Sequence, residues 1–166
     1  MNIISIIVIL ILVFSFIGGL TRGAVKSFFS IISLIIAIPV AGIFYSSMAN
    51  LLSFLPDQNW EFFLGFFIVL AITSIILAFI FYFPRKILEN TWSEGLLFRL
   101  AGGALNLLSS AIGLVMFTLV FSTYPVWDWL NQTLADSTVM TWLVNELTFV
   151  QSFLPEIMRR TGSTII

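Results

Sequence analysis

Three cations in this sequence stand beside glycines and could bind an anionic group. Arg22 and Lys26 lie four residues apart in the stretch GGLTRGAVK, and Arg99 lies three residues before the pair Gly102 and Gly103. Arginine and lysine bind phosphates and carboxylates through charge-assisted hydrogen bonds. They also mark the cytoplasmic ends of membrane helices. We predict a cationic patch of Arg22, Lys26 and Arg99, and the sequence leaves open whether it binds a ligand or anchors the topology.

Small and polar side chains form lines along two apolar segments. In lipid such lines usually mean close helix packing, and the alternative is a polar conduction path. The predicted stripe consists of Gly19, Gly23, Ser30, Ser33, Gly102, Asn106, Ser109 and Gly113. A buried amide needs hydrogen-bond partners, so we expect Asn106 to bond with Ser30 or Ser33. The lines predict that the second and fourth helices form the central pair and that the first helix faces lipid.

Groups that usually carry catalysis are missing from the sequence. The chain has no cysteine and no histidine, which removes thiolate chemistry, the commonest proton shuttle and the commonest metal ligand. No Asp or Glu lies deep within an apolar segment, whereas ion-coupled transporters usually keep an ionisable group within the bilayer. We therefore predict no enzyme activity, no cofactor and no metal. A net charge of −1 without a basic run argues against nucleic acid as a partner.

The elements that must position these residues are membrane helices. The chain is 60% hydrophobic and 9% charged, against about 25% charged in a typical soluble domain. Four apolar segments predict spans at about 3–20, 24–46, 61–84 and 99–124, within a domain of residues 1–124. Pro39 removes one backbone hydrogen bond from the second span and predicts a kink there. The predicted fold is an all-α integral membrane protein with four transmembrane helices in two hairpins and a helical tail.

The charges of the loops predict the orientation. The loops after the first and third spans contain the cations Arg22, Lys26, Arg85, Lys86 and Arg99, and the loop after the second span contains Asp57 and Glu61 without a base. Because lysine and arginine favour the cytoplasmic side, both termini are predicted to be extracytoplasmic.

The tail, residues 125–166, is too rich in charges to be a fifth span. Val139, Leu143, Leu147, Val150 and Leu154 form one apolar stripe, Asn145 and Glu146 lie off it, Asp136 or Ser137 could cap its start, and Pro155 ends it. This pattern predicts an amphipathic extracytoplasmic helix. The helix could lie on the membrane surface, bind a partner, or pack on the protein's own helix ends.

Two motifs together resemble the colicin V production (CvpA) family of bacterial inner-membrane proteins. The first is FIGGLTRGAVKSFFSIISLIIA, with Gly19, Arg22, Gly23 and Lys26, and the second is WSEGLLFRLAGGALNLLSSAIG, with Gly95, Arg99, Gly102 or Gly103, and Gly113. The chain departs from the family pattern at Phe98, where an Asp is expected, and near Asn106, where a second Arg is expected. The resemblance implies a multi-pass protein of the bacterial plasma membrane with a role in toxin production or export and in envelope homeostasis.

Two functions remain open at this point. The first is a non-enzymatic membrane component that assists secretion or envelope maintenance through the lipid bilayer and a membrane-protein partner or a second copy of itself. The second is a small channel or transporter subunit, whose path would be lined by the second and fourth helices. The serine, asparagine and glycine stripe and a faint similarity between RGAVKSFFSIISL and RLAGGALNLLSSA favour the second function, because transporters often contain repeats.

Overall fold

The computed structural model describes residues 3–91, 95–126 and 128–152. Four helices are long and apolar enough to cross a membrane: α1 (Ile3–Arg22), α2 (Ala24–Leu51), α3 (Gln58–Ile80) and α5 (Leu96–Thr123). Shorter helices are α4 (Tyr82–Thr91), α6 (Asp128–Ala135), α7 (Thr138–Glu146) and α8 (Thr148–Ser152). The predicted fold class of four apolar spans with a helical tail is confirmed.

The helix α5 is the central element of the bundle. Half of its most apolar stretch is buried, against 17–22% for the other three spans. The most extensive helix contacts are between α2 and α3 and between α1 and α5, and contacts between α2 and α5 join the two pairs. The first helix is among the least buried spans, as expected of a lipid-facing helix. The expectation that the second and fourth spans form the closest pair is wrong, because α5 packs more extensively on α1 than on α2. One face of α1 does carry exposed apolar side chains such as Ile6, Leu10 and Phe14, while Ser5, Val8 and Gly19 are buried.

Glycines explain why α1 lies so close to α5. A Cβ added to Gly19 would lie 2.6 Å from the Asn106 Cβ and 2.8 Å from the Gly103 Cα. Membrane helices gain little from burying apolar surface against each other, so they associate where small residues let the backbones approach. Beside this crossing, the Ser110 hydroxyl donates a hydrogen bond to the Ser15 hydroxyl at 2.7 Å.

Aromatic and branched apolar side chains fill the half of the bundle that contains the end of α2 and the start of α3. Phe66, Val115 and Leu119 are fully buried there. The rings of Phe62 and Tyr124 lie 5.2 Å apart, centroid to centroid. Burial raises the pKa of Tyr124, which follows α5, above its usual range, and the hydrogen bond with Tyr45 adds to this shift.

The helix α4 is a separate element where the sequence predicts the end of the third span and a loop. The helix α3 ends at Ile80, and α4 begins after Phe81, whose backbone N–H donates to the Leu77 carbonyl at 2.8 Å. Phe83 and Ile87 on α4 are 74% and 68% exposed. Apolar side chains beside cations on one short helix are typical of helices at a membrane interface.

The described part of the tail, up to Ser152, packs on the protein's own helix ends, which is one of the three alternatives for it. Ser137 caps α7, since its side chain accepts a hydrogen bond from the Met140 N–H, and its hydroxyl lies 2.9 Å from that of Ser5. Leu143 and Val150 of the predicted stripe are buried. The predicted positions Leu154 and Pro155 lie outside the described residues.

Candidate functional site: a cationic cavity at one end of the bundle

A one-residue turn brings two of the predicted cations together. The helix α1 ends at Arg22, α2 begins at Ala24, and Gly23 between them has φ 80° and ψ 166°. This backbone region is essentially restricted to glycine. The Gly23 N–H donates to the Gly19 carbonyl at 3.0 Å, and the Gly23 carbonyl accepts from the Ser27 N–H at 3.3 Å. The turn therefore places Arg22 and Lys26 at the same end of the bundle.

That end of the bundle also receives the cations of α4 and of the start of α5, and we call it the cationic end. It holds a cavity of about 360 Å³, which we call the cationic cavity. The cavity is lined by residues of α1, α2, α3, α4 and α5 and by the residue that joins α3 to α4. These residues are Arg22, Lys26, Phe29, Ser30, Ser33, Leu34, Ser74, Ala78, Phe81, Arg85 and Ser109.

Charge and polarity are arranged in layers along the cavity. Lys26 and Ser33, both on its lining, are seven residues apart on α2, which corresponds to roughly 10 Å along the helix axis. Lys26 thus lies near the end of the bundle, and the half-buried Ser33 lies about two turns further along α2. The Ser33 hydroxyl donates to the Phe29 carbonyl at 2.8 Å, so its oxygen can still accept a hydrogen bond from a ligand. The rings of Phe29 and Phe81 lie 5.3 Å apart and form an apolar wall.

Apolar packing follows beyond the deepest lining residues. On α2, Leu34 lines the cavity, while Ala37, Ile38 and Ala41 on the next turns are almost completely buried. On α5, Val115 and Leu119 have no exposed surface. Within the described residues, the cavity is therefore a recess that reaches into the bundle from the cationic end and meets a packed apolar core.

The structure brings together part of the predicted site. Arg22, Lys26, Ser30, Ser33 and Ser109 all line the cationic cavity. Arg99 lies at the same end, but it lines a separate hollow with Leu20, Thr21, Leu96 and Leu100. Of the predicted stripe, Gly19, Gly23, Gly102 and Asn106 lie where α1, the turn and α5 meet, and a Cβ on Gly113 would have nothing within 4 Å.

The expected partner of Asn106 is wrong. Its side-chain amide donates to the Ser15 carbonyl at 2.5 Å and does not bond with Ser30 or Ser33. The reason is the close approach of α1, because the glycines at this crossing bring the α1 backbone within reach of the amide. Asn106 is buried, with 9% of its surface exposed, and therefore serves packing between α1 and α5.

Two polar or charged lining residues lie outside the predicted site. Arg85 belongs to the predicted loop after the third span, and Ser74 is not part of the predicted stripe. The signal for Arg85 is its place directly after the third span, which ends at the same end of the bundle where α2 begins. The signal for Ser74 is weaker: it is one of a few small residues, with Ala71 and Ala78, at helical spacing on α3.

The family profile described as Colicin V production protein matches residues 4–148, which is most of the chain. The chain belongs to the colicin V production family. This match confirms the predicted family. Together with the four long apolar helices it also supports the predicted multi-pass membrane protein. Comparison with curated proteins and with solved structures gave no match. The matched range contains every residue that lines the cationic cavity.

Proposed function

We propose that this member of the colicin V production family is a non-enzymatic protein of the bacterial inner membrane that assists toxin production or export, or envelope homeostasis. It acts through contacts that lipid or a membrane-protein partner makes at the cationic end. The observation that carries this proposal is the cationic cavity, which joins three cations to a recess that meets packed apolar side chains. Such a recess suits the binding of a group better than its passage across the membrane.

The proposed orientation places the cationic end in the cytoplasm and both termini outside it. Arg22, Lys26 and Arg85 at one end support it, as does Asp57 at the other end, where its carboxylate accepts from the Asn59 N–H at the start of α3. Reporter fusions at the α2–α3 loop and after residue 166 should both report an extracytoplasmic position. A cytoplasmic signal from either fusion would contradict the orientation.

Complementation of a deletion strain tests the function. Arg85→Gln removes a cation that lines the cavity, while Lys86→Gln removes the neighbouring cation, which lies 5.9 Å from the Tyr82 ring centroid. Both variants change the charge of the same loop equally, so they alter insertion equally. We expect Lys86→Gln to restore detergent resistance and toxin export and Arg85→Gln to fail. A deletion without an envelope or export defect, or equal rescue by both variants, would contradict the proposal.

A second candidate function is a small channel or transporter subunit. The observation that favours it is that Ser33 of α2 and Ser109 of α5 face one cavity, as the predicted path along these two helices requires. Flux through liposomes tests it with Ser33→Leu, and Asn106→Leu serves as a variant outside the cavity. Flux from the wild type that Ser33→Leu alone abolishes would support a path. The absence of flux from the wild type would rule it out.

A further inference from the structure

We propose that the cationic cavity binds a phosphate group, and that the phosphate is carried by an anionic phospholipid. This inference rests on the proposed function because both concern the cationic cavity; it adds the identity of the ligand. Phosphate chemistry could also come from a free phosphate ion, and the experiment below separates the two sources.

The charge of the lining selects an anion. Arg22 and Lys26 reach the cavity from the turn between α1 and α2, and Arg85 reaches it from α4. None of the described lining residues is acidic. Arginine presents a planar fork of donors that matches phosphate oxygens, and lysine acts as a compact point charge. Cations from two separate elements can therefore contact different oxygens of one phosphate.

The hydroxyl groups and the size of the cavity point to a group larger than phosphate itself. Four serines from three helices line the cavity: Ser30, Ser33, Ser74 and Ser109. A hydroxyl has one donor hydrogen and two acceptor lone pairs, so the Ser33 hydroxyl, which donates to the Phe29 carbonyl, can accept from a ligand. The cavity has a volume of about 360 Å³, and a bare phosphate ion would leave part of it unfilled. A polyol headgroup attached to the phosphate would fill more of it and bond with the serines.

The surroundings of the mouth favour a lipid as the source. The lining includes the apolar side chains of Phe29, Leu34 and Phe81 together with the cations. On α4, Phe83 and Ile87 flank Arg85 in sequence and are largely exposed. Exposed apolar side chains beside cations are typical of the headgroup level of a membrane. A phosphate at that level belongs to the lipid that already surrounds the protein.

The experiment titrates the purified full chain in a neutral detergent with three probes: phosphatidylglycerol, phosphatidylcholine and inorganic phosphate. Native mass spectrometry measures the dissociation constant for each. We expect phosphatidylglycerol to bind at least about tenfold more tightly than phosphatidylcholine. Loss of one charge-assisted hydrogen bond typically weakens binding about tenfold or more. Arg85→Gln should therefore weaken phosphatidylglycerol binding by about that factor, and Lys86→Gln by about twofold or less.

A second variant keeps the test informative if Arg85→Gln fails to fold. Lys26→Gln removes a cation from a different helix and should give the same loss. Equal binding of the two lipids, or equal losses in Arg85→Gln and Lys86→Gln, would overturn the proposal. Binding of inorganic phosphate that depends on Arg85, without any preference for phosphatidylglycerol, would support phosphate recognition and overturn the lipid as its source.

The failure of this inference can be told apart from the failure of the proposed function. If Arg85→Gln loses phosphatidylglycerol binding but still rescues the deletion strain, the lipid site stands and the role of the cavity in envelope maintenance or export fails. If Arg85→Gln abolishes rescue while lipid binding is unchanged, the cavity serves the function through another ligand, and the lipid proposal fails.

Discussion

Gly102 on α5 is a position where a single methyl group should clearly destabilise the fold, because an added Cβ would overlap backbone atoms of two other elements. A Cβ at this site would lie 2.5 Å from the Gly23 carbonyl carbon, 2.6 Å from the Gly19 carbonyl oxygen and 2.8 Å from the Ala24 nitrogen. All three are backbone atoms, so no side-chain rotation can relieve the overlap. The change Gly102→Ala must therefore move α5 away from the end of α1 and the start of α2.

The required movement sets the size of the effect. Ordinary contacts of a Cβ begin at 3.4 Å, so the closest contact must lengthen by about 0.9 Å, and gaps of this size forfeit up to about half of the dispersion energy across a contact. Overpacking of this kind costs about 1–3 kcal/mol, and we take the upper end because backbone atoms cannot yield. The better helix propensity of alanine returns about 1 kcal/mol. The net loss in the free energy of unfolding should be about 2 kcal/mol.

A matched control lies on the same helix. Gly113 has nothing within 4 Å of an added Cβ, so Gly113→Ala should keep only the gain in helix propensity, up to about 1 kcal/mol. Thermal unfolding in detergent measures both variants. For a chain of this size about 1 kcal/mol shifts Tm by roughly 2–4 °C. Gly102→Ala should therefore unfold about 4–8 °C below the wild type, and Gly113→Ala up to about 2–4 °C above it.

Equal Tm values for Gly102→Ala and Gly113→Ala would refute this reasoning. They would mean that the close approach of α5 to the turn does not exist in the folded protein. A Tm of Gly102→Ala above that of the wild type would have the same meaning, because it would show that only helix propensity had changed.

Three further predictions use the same thermal assay. Gly23→Ala should lower the free energy of unfolding by about 1–3 kcal/mol, because φ is 80° although a Cβ there would meet nothing within 4 Å; an unchanged Tm would contradict the turn. Ser27→Ala should raise the free energy of unfolding by about 1 kcal/mol, because the buried Ser27 hydroxyl has no hydrogen-bond partner among the described residues. A lower Tm would show that the hydroxyl has a partner, and Ser30→Ala is the control at an exposed position of the same helix. Asn106→Leu should lower the free energy of unfolding by about 0.6–2 kcal/mol, because the hydrogen bond to the Ser15 carbonyl is lost. An unchanged Tm would contradict a stabilising role of that hydrogen bond.

The sequence was sufficient for the spans because a charge-free apolar run of this length has few alternatives to a membrane helix. The sequence was insufficient to predict which helices pack against each other. Small residues recur in long lines along α2 and α5, whereas the α1–α5 contact depends on a short crossing of Gly19 against Gly102 and Gly103. A short crossing gives no periodic signal along either helix, so periodicity could not find it.

The presence of Arg85 at the cavity, which the sequence did not predict, depends on the break between α3 and α4. Arg85 reaches the cationic cavity because α3 ends at Ile80 and α4 begins after Phe81. The local signal for this break is Pro84 in the first turn of α4, because a proline removes a backbone donor and disfavours a helix that continues through it. The proline marks where a helix is interrupted, but it does not show where the next helix will pack. The tail shows the same limit: its apolar stripe was predictable, but the surface it covers depends on the contact between Ser5 and Ser137, 132 residues apart.

The packing of α5 against the turn between α1 and α2 also positions two cations of the cationic cavity. Gly102 contacts Gly23 and Ala24, and therefore α5 supports the turn that places Arg22 and Lys26 at the cavity mouth. Topology anchoring and ligand binding are then not competing roles for these cations. Close backbone packing holds Arg22 and Lys26, whose charges favour one side of the membrane, beside the cationic cavity. Arg99 carries the same charge at the same end of the bundle, but it lines a separate hollow.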